Sequence, residues 1–445
     1  MKIVLLIDCI NMIKKITFFA FLSFNFLVNA QKDTLKIAKD TAKIFTISAE
    51  FRPRVEYRNG YRELNSDTSD AAFFVEQRSR IYLDYKAPRF AWHTSIQDIR
   101  IWGEQDPRST GATLQIFETY VEPSLTKRIS ARIGRQKIMF DNQRLFAQND
   151  WRQNGGTHDA VRFIFKGKKL EADLIGAFNQ GHGAQDKYSN IDYNPGFSNY
   201  KTLFVNFLKY KFNDAFMLTL INANDGFQDA TVSEKINNRF TSGGRIEYTK
   251  KSLYLTLAGY YQYGKTTAGK KLDAFYFQPE AKLKLKKYFT FRLGAEIFSG
   301  DDAKKPSSTS RSFDALYGVN HRFLGTMDLF TRFPKDFNNA GIVNPYFFTV
   351  IDINKKISFK VEQHLFFSQN NFLVNNEVIN KYLGYENDLL LIYKPNAITE
   401  LQLGYSFACL TKSMEYIKKA GNSNLWQDWA YLMVTFTPQF LKIQK

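Results

Sequence analysis

The stretch from Ile44 to Arg58, IFTISAEFRPRVEYR, constrains the fold more than any other part of the chain. Apolar and polar residues alternate along it almost without interruption, which is the period of a β-strand with two unlike faces. A strand of a soluble sandwich also alternates, but it is usually shorter. A long strand whose polar face carries several arginines is typical of a membrane barrel, with lipid outside and a wet lumen inside.

The N-terminus predicts an exported protein. Lys14 and Lys15 precede a short apolar run that ends in small residues at Ala30, the pattern of a secretory signal peptide. The apolar run is too short to span a membrane as a helix. We therefore expect cleavage before Gln31 and three N-terminal parts: a dispensable leader at 1–11, a signal peptide ending at residue 30, and a periplasmic lead-in at 31–43.

Composition is consistent with a barrel. Phe, Tyr and Trp make up 16% of the chain, yet its mean hydropathy is −0.36, as aromatic girdles around a polar lumen would produce. The net charge of +18 attracts polyanions, and for an exported chain this favours an anionic glycan over nucleic acid. Removal of residues 1–30 leaves Cys409 as the one cysteine, so no disulfide can form within the chain.

The rest of the chain is predicted to form a series of strands. We count about 18, joined alternately by short and long connections, which is the pattern of an outer-membrane barrel with short periplasmic turns and long external loops. The prediction is an all-β fold with one transmembrane antiparallel barrel over residues 44–440. The closing strand, WAYLMVTFTPQF, ends in the aromatic Phe440, and five residues trail behind it.

Arginines on the polar strand faces are the first candidate pore residues. A guanidinium group is always charged and binds a carboxylate through two parallel hydrogen bonds. The alternative is structural, because acidic residues lie among these arginines, and we expect at least half of the arginines to be paired. The candidates on strands are Arg52, Arg54, Arg78, Arg80, Arg100, Arg132 and Arg162.

The connection from Lys137 to Asp159 is the second candidate. It is long and polar after its first residues, and it contains Arg144, Trp151 and Arg152. A connection of this kind can fold into a barrel and narrow it. The alternative is an ordinary external loop.

Three segments resemble the alginate export family of outer-membrane barrels. They are Gly134-Arg135-Gln136 with the following DNQRLFAQNDWRQNGGTHDAV, the later FDALYGVNHRFLGTMD, and the closing WAYLMVTF. The resemblance implies a monomeric 18-stranded pore whose arginine-lined lumen passes an anionic uronate polymer. It adds Arg135, Arg144, Trp151 and Arg152 to the candidate pore residues. The chain departs from the family pattern near Gly156, where a basic residue is expected.

Other functions have weaker support. His364 and Ser368 share a strand face but lie about 13 Å apart at the rise of a strand, which is too far for a nucleophile and its base. No nucleophile elbow or zinc-binding spacing occurs, so we predict no enzyme, no metal and no cofactor. Asp301 and Asp302 are interpreted as a solvated acidic loop. The expected partners are an anionic saccharide, outer-membrane lipid and possible periplasmic secretion or degradation proteins, while a general porin or a barrel hydrolase remains the alternative.

Overall fold

The computed structural model describes residues 42–104, 114–179, 199–229, 231–232, 235–319, 321 and 323–445. The predicted leader, the signal peptide and nearly all of the lead-in lie outside these residues. Two helical turns occur in the described part, α1 (Lys412–Lys418) and a 3-10 turn at Lys335–Phe337. Neither these nor any other described helix is long and apolar enough to cross a membrane.

Eighteen long antiparallel strands form the wall, as the alternating pattern predicts. They are β1 (Ile44–Asn59), β2 (Ala72–Ala87), β3 (Phe90–Ile101), β4 (Gln115–Pro123), β5 (Ile129–Gln136), β6 (His158–Lys166), β7 (Leu170–Phe178), β8 (Thr202–Lys211), β9 (Phe216–Gln228), β10 (Ile236–Lys250), β11 (Leu253–Lys265), β12 (Lys271–Leu285), β13 (Phe289–Phe298), β14 (Ile342–Asp352), β15 (Ile357–Ser368), β16 (Tyr382–Asn396), β17 (Thr399–Leu410) and β18 (Gln427–Phe436).

Each strand pairs with its neighbours in the chain, and β1 also pairs with β18, which closes the barrel. The end of the chain differs from the prediction. Residues after Phe440 do not trail, because a short strand at Gln439–Gln444 pairs with Ile44–Ser48 at the start of β1. The closed ring leaves no unpaired edge along the wall, which a barrel in lipid requires.

Alternation along each strand sorts the side chains between the two sides of the wall. In β1 the inward residues Arg52, Arg54 and Glu56 are buried, while the outward Phe51 and Tyr57 are exposed. The outer surface carries many exposed aromatic and aliphatic side chains, as a surface facing lipid does. Cys409, the one cysteine among the described residues, is exposed on this outer surface.

Two chain segments lie inside the ring of strands and fill part of the lumen. We call residues 137–157, between β5 and β6, the inner loop. The described residues 311–319, 321 and 323–332, between β13 and β14, are called the inner segment. Their apolar side chains are buried together with residues of the wall, among them Phe140, Phe146, Phe313, Met327 and Phe330. An 18-stranded barrel is wide enough for an aqueous channel, so these segments determine how much of that channel stays open.

The short turns at one end of the barrel are basic. Six of the eight short turns carry exposed lysine or arginine, and the one acid in these turns is Asp214. In barrels of this type the short turns are periplasmic. The basic turn residues are Arg89, Lys127, Arg128, Lys168, Lys169, Lys251, Lys286, Lys287, Lys355 and Lys356.

Candidate functional site

The inner loop is held against β1 and β2 by Asp150. Its carboxylate lies 3.4 Å from Arg52, 3.1 Å from Arg78 and 3.4 Å from Arg80, and all three arginines are nearly fully buried. Burial alone would raise the pKa of Asp150, but Arg78, Arg52 and Arg80 together hold it below its ordinary value. Four strand-borne arginines thus serve mainly to hold this loop, because Arg54 also donates to the backbone carbonyl of Trp151.

Trp151 is enclosed on both faces of its indole ring. The Arg54 guanidinium lies 3.9 Å from the ring centroid, and the His321 ring stacks 3.9 Å away, nearly parallel. Two groups this close cannot share one face, so they cover opposite faces. Trp429 and Tyr431 of β18 meet the indole edge-on at 5.5 and 5.0 Å. Trp151 therefore joins the inner loop, the inner segment and the wall.

Arg144 attaches the inner loop to the opposite wall. Its Nη2 donates to Glu296 of β13 at 2.7 Å, and both side chains are buried. The guanidinium also lies near the rings of Phe298 and Phe323, at 4.8 and 4.7 Å from their centroids. This aromatic surrounding excludes water, so the ion pair is a structural attachment and Arg144 is inaccessible to solute.

The inner segment pairs with the inner loop through backbone hydrogen bonds. The Ala147 amide donates to the Tyr317 carbonyl at 3.1 Å, and the Tyr317 amide donates to the Leu145 carbonyl at 3.0 Å. Gly318 allows this approach, because a Cβ there would overlap the Arg144 carbonyl. The inner segment is in turn attached to the wall by Thr326, whose hydroxyl donates to Asp388 at 2.6 Å.

One acid of the inner loop titrates in an unusual range. Asp141 accepts a hydrogen bond from the Thr219 hydroxyl at 2.9 Å. Burial raises the pKa of Asp141 to about 6, against the opposing effects of that hydrogen bond and of Arg245. The contact between the inner loop and β9 is therefore sensitive to pH.

A cavity of about 400 Å³ opens between the inner loop, the inner segment and the wall. Each acid on its lining has a basic partner within the described residues. Glu50 pairs with Arg78, Asp328 with His321, Glu400 with Lys394, and Asp150 with the arginines described above.

Arg152 differs from the other charged residues of the lining. It is exposed, and none of the described carboxylates lies within ion-pairing distance of it. The unpaired positive charge of the lining thus comes from a residue at the tip of the inner loop.

The remaining predicted arginines occupy two kinds of position. Arg132 and Arg162 face inward and are paired, with Glu122 at 2.6 Å and Asp173 at 2.6 Å. Arg100 and Arg135 do not face the lumen, and here the prediction was wrong. Arg100 is paired in register with the outward Gln77 and binds Asp98, while Arg135 shares the outward face of β5 with Ile133 and binds Asp159. Arg100 and Arg135 each lie one residue before the end of their strand, at the end of the barrel that carries the long loops. At this end each outward arginine is paired with a carboxylate.

Sequence analysis missed the contribution of the inner segment. His321, Asp328, Thr331 and Val319 line the cavity, yet the segment was interpreted as part of a long external connection. The signal was present, since all four lie in or beside the FDALYGVNHRFLGTMD motif. Asp301 and Asp302 lie elsewhere, where Asp301 accepts from the Arg311 amide and Asp302 from Asn371.

A comparison with family models identifies the chain. The model described as alginate export matches residues 45–334, nearly two thirds of the sequence and both inner elements. The chain belongs to the alginate export family. Family membership and the closed barrel place this alginate export family protein in the outer membrane of a Gram-negative bacterium, where it forms a channel. A comparison with curated proteins finds no match.

Solved structures confirm the architecture. The alginate export family chain is similar to OpdO of Pseudomonas aeruginosa, with a TM-score of 0.60, 14% identity, and coverage of 89% of this chain and 98% of that one. It is also similar to OpdK of the same organism in complex with vanillate, with a TM-score of 0.59, 13% identity, and coverage of 90% and 99%. At this identity the likeness concerns the fold.

Proposed function

We propose that the protein is an anion-selective channel that passes an acidic saccharide of the uronate class. The observation that supports this most directly is the position of Arg152, exposed on the cavity lining and without an ion-pair partner among the described residues. An unpaired guanidinium binds a passing carboxylate through two hydrogen bonds and replaces part of its hydration shell. Because this attraction is weak, the bound saccharide can also leave the site.

The paired arginines contribute differently from what the sequence suggested. Arg52, Arg54, Arg78 and Arg80 are neutralised by Glu50, Glu56, Glu76 and Asp150, so they set the shape of the lumen more than its potential. Trp151 has no free ring face for a sugar, which makes it a positioning residue for Arg152. The basic periplasmic turns add a longer-ranged attraction for polyanions at that mouth of the barrel.

The test compares two arginines that differ in which side of the wall they face. Wild type, Arg152→Gln and Arg135→Gln are reconstituted in planar bilayers, and the current block by oligouronates is titrated. We expect Arg152→Gln to weaken the block about tenfold and to reduce anion selectivity, while Arg135→Gln behaves as wild type. Equal block in all three proteins would contradict the proposal.

A second candidate is a porin for small carboxylates. The cavity of about 400 Å³ lies in the size range of sites for small ligands, and a related barrel of the same fold binds vanillate, itself a carboxylate. Block by vanillate with no block by oligouronates would favour this function. In either case we propose a monomeric channel. We also propose no enzymatic activity, since Ser368 Oγ donates to the Asn370 carbonyl and His364 Nδ1 bonds Asn344, so the two do not act on each other.

A further inference from the structure

We propose that β15 and β16 carry a binding site for a divalent transition metal such as Zn²⁺. Its ligands are Glu362 and His364 of β15 and Asp388 of β16. One ligand atom from each of these three side chains lies within 4.8 Å of the other two. The site faces the lumen and is distinct from the cavity that Arg152 lines.

Strand register brings these residues together. Glu362 is paired with Asp388 and His364 with Glu386, on the inward faces of two neighbouring strands. Two carboxylates directly opposite each other repel unless a positive charge lies between them. Arg292 supplies part of this positive charge through its electrostatic interaction with Glu362, and it also forms an ion pair with Glu280 at 2.6 Å. A bound metal would add positive charge between the two carboxylates.

The histidine is oriented as a metal ligand. Asn344 Nδ2 donates to the Leu365 carbonyl, so Asn344 Oδ1 accepts, and it lies 3.1 Å from His364 Nδ1. A hydrogen bond from Nδ1–H leaves Nε2 as the unprotonated nitrogen, and such bonds commonly orient histidines that bind metals. Nε2 is buried, has no hydrogen-bond partner among the described residues, and lies 3.8 Å from Asp388 Oδ2.

A distance of 3.8 Å is too long for a hydrogen bond but close to what a bound metal requires. Two ligands of a tetrahedral Zn²⁺ with bonds of about 2.1 Å are separated by about 3.4 Å. One imidazole nitrogen with carboxylate oxygens is a ligand set that suits Zn²⁺ or Mn²⁺ better than Ca²⁺ or Mg²⁺. Glu386 offers a further oxygen, since its carboxyl group is buried and lies beside Asp388.

The site is continuous with the attachment of the inner segment. Asp388 accepts from the Thr326 amide and hydroxyl, and Glu386 Oε1 accepts from the Met327 amide at 2.8 Å. A metal bound to Asp388 would hold this carboxylate in the position that receives Thr326. The expected consequence of metal binding is a more stable attachment of the inner segment to the wall.

The test uses the full-length protein in detergent, stripped with EDTA and then titrated with Zn²⁺ alone. Wild type is expected to bind one Zn²⁺ per chain and to unfold at a higher temperature with Zn²⁺ than without it. Asp388→Asn and His364→Gln are expected to weaken binding at least tenfold and to lose the thermal shift. His93→Gln is the matched control, because His93 also faces the lumen beside two acids, Asp84 and Glu118.

Absence of stoichiometric Zn²⁺ binding by wild type would overturn the proposal, and this result does not depend on how the variants fold. Equal loss of binding in His93→Gln would also overturn it. Failure of Zn²⁺ binding would leave the proposed anion selectivity intact, because that proposal is tested with variants of Arg152 and Arg135.

Discussion

At the scale of single residues, the charges that the described residues place on the cavity lining divide into ion pairs and the unpaired guanidinium of Arg152. Arg144 and Glu296 form the most enclosed ion pair among the described residues, with both side chains at 1% exposure or less. Removal of one partner of such a pair leaves an uncompensated charge in a site that water does not reach. The arrangement predicts that removing one partner of a buried pair lowers the free energy of unfolding more than removing one partner of an exposed pair.

The substitution Glu296→Gln tests this. It leaves Arg144 without its carboxylate, and we expect a loss of about 3–5 kcal/mol in the free energy of unfolding. Arg135→Gln removes an exposed pair, for which the expected cost is below about 1 kcal/mol. Denaturant unfolding followed by Trp fluorescence measures both values, and similar costs for the two variants would show that Arg144 is not anchored as described.

At the scale of elements, the inner loop and the inner segment stabilise each other through their close backbone approach at Gly318. Gly318→Ala places a Cβ against the Arg144 carbonyl, so we expect the two elements to separate and the single-channel conductance to rise. Gly259→Ala is the control, because a Cβ there meets its nearest atom at 3.9 Å. An unchanged conductance in Gly318→Ala would mean that the pairing does not limit the channel.

The attachment of the inner loop to β9 is expected to depend on pH. The pKa of Asp141 is about 6 in the seated loop and near 3.8 where the side chain is solvated, so protonation favours the seated state. Stabilisation by this group is complete below about pH 4 and is lost as pH rises to about 6. We expect more frequent opening events across this interval in single-channel recordings. Asp141→Asn, which keeps an acceptor for Thr219, should remove the pH dependence, and a steep dependence in this variant would assign it to another group.

The sequence predicted the elements of the wall and the inward course of the inner loop, but it did not reveal the inner segment. Period-2 alternation is a local property, so the number of strands and the two unlike faces of strands such as Ile357–Ser368 and Ile129–Gln136 follow from the sequence. The contacts of the lumen join distant residues, as when Arg52 meets Asp150 or Arg144 meets Glu296, and no local pattern encodes them. The proposed metal ligands show a recognisable but weak signal, since Glu362 and His364, like Glu386 and Asp388, are two residues apart and therefore share a strand face.

At the scale of the whole molecule, net charge was a poor guide to the charge of the lumen. The net charge of +18 indicated an attraction for polyanions but not its place, and the short turns account for much of the excess. Basic turns at the periplasmic mouth raise the local concentration of polyanions. This attraction depends strongly on ionic strength, because salt screens exposed charges. Exposed charge on the lining is confined to fewer positions, of which Arg152 is the one without a partner among the described residues.

The central claim is that this barrel conducts anions in preference to cations and binds acidic saccharides while it does so. The most direct test is the reversal potential of the purified wild-type protein in a planar bilayer under a KCl gradient, followed by titration with oligouronates. A reversal potential of the sign set by chloride, with block that saturates as oligouronate is added, is the predicted result. A reversal potential of the sign set by potassium, or no conductance at all, would contradict it.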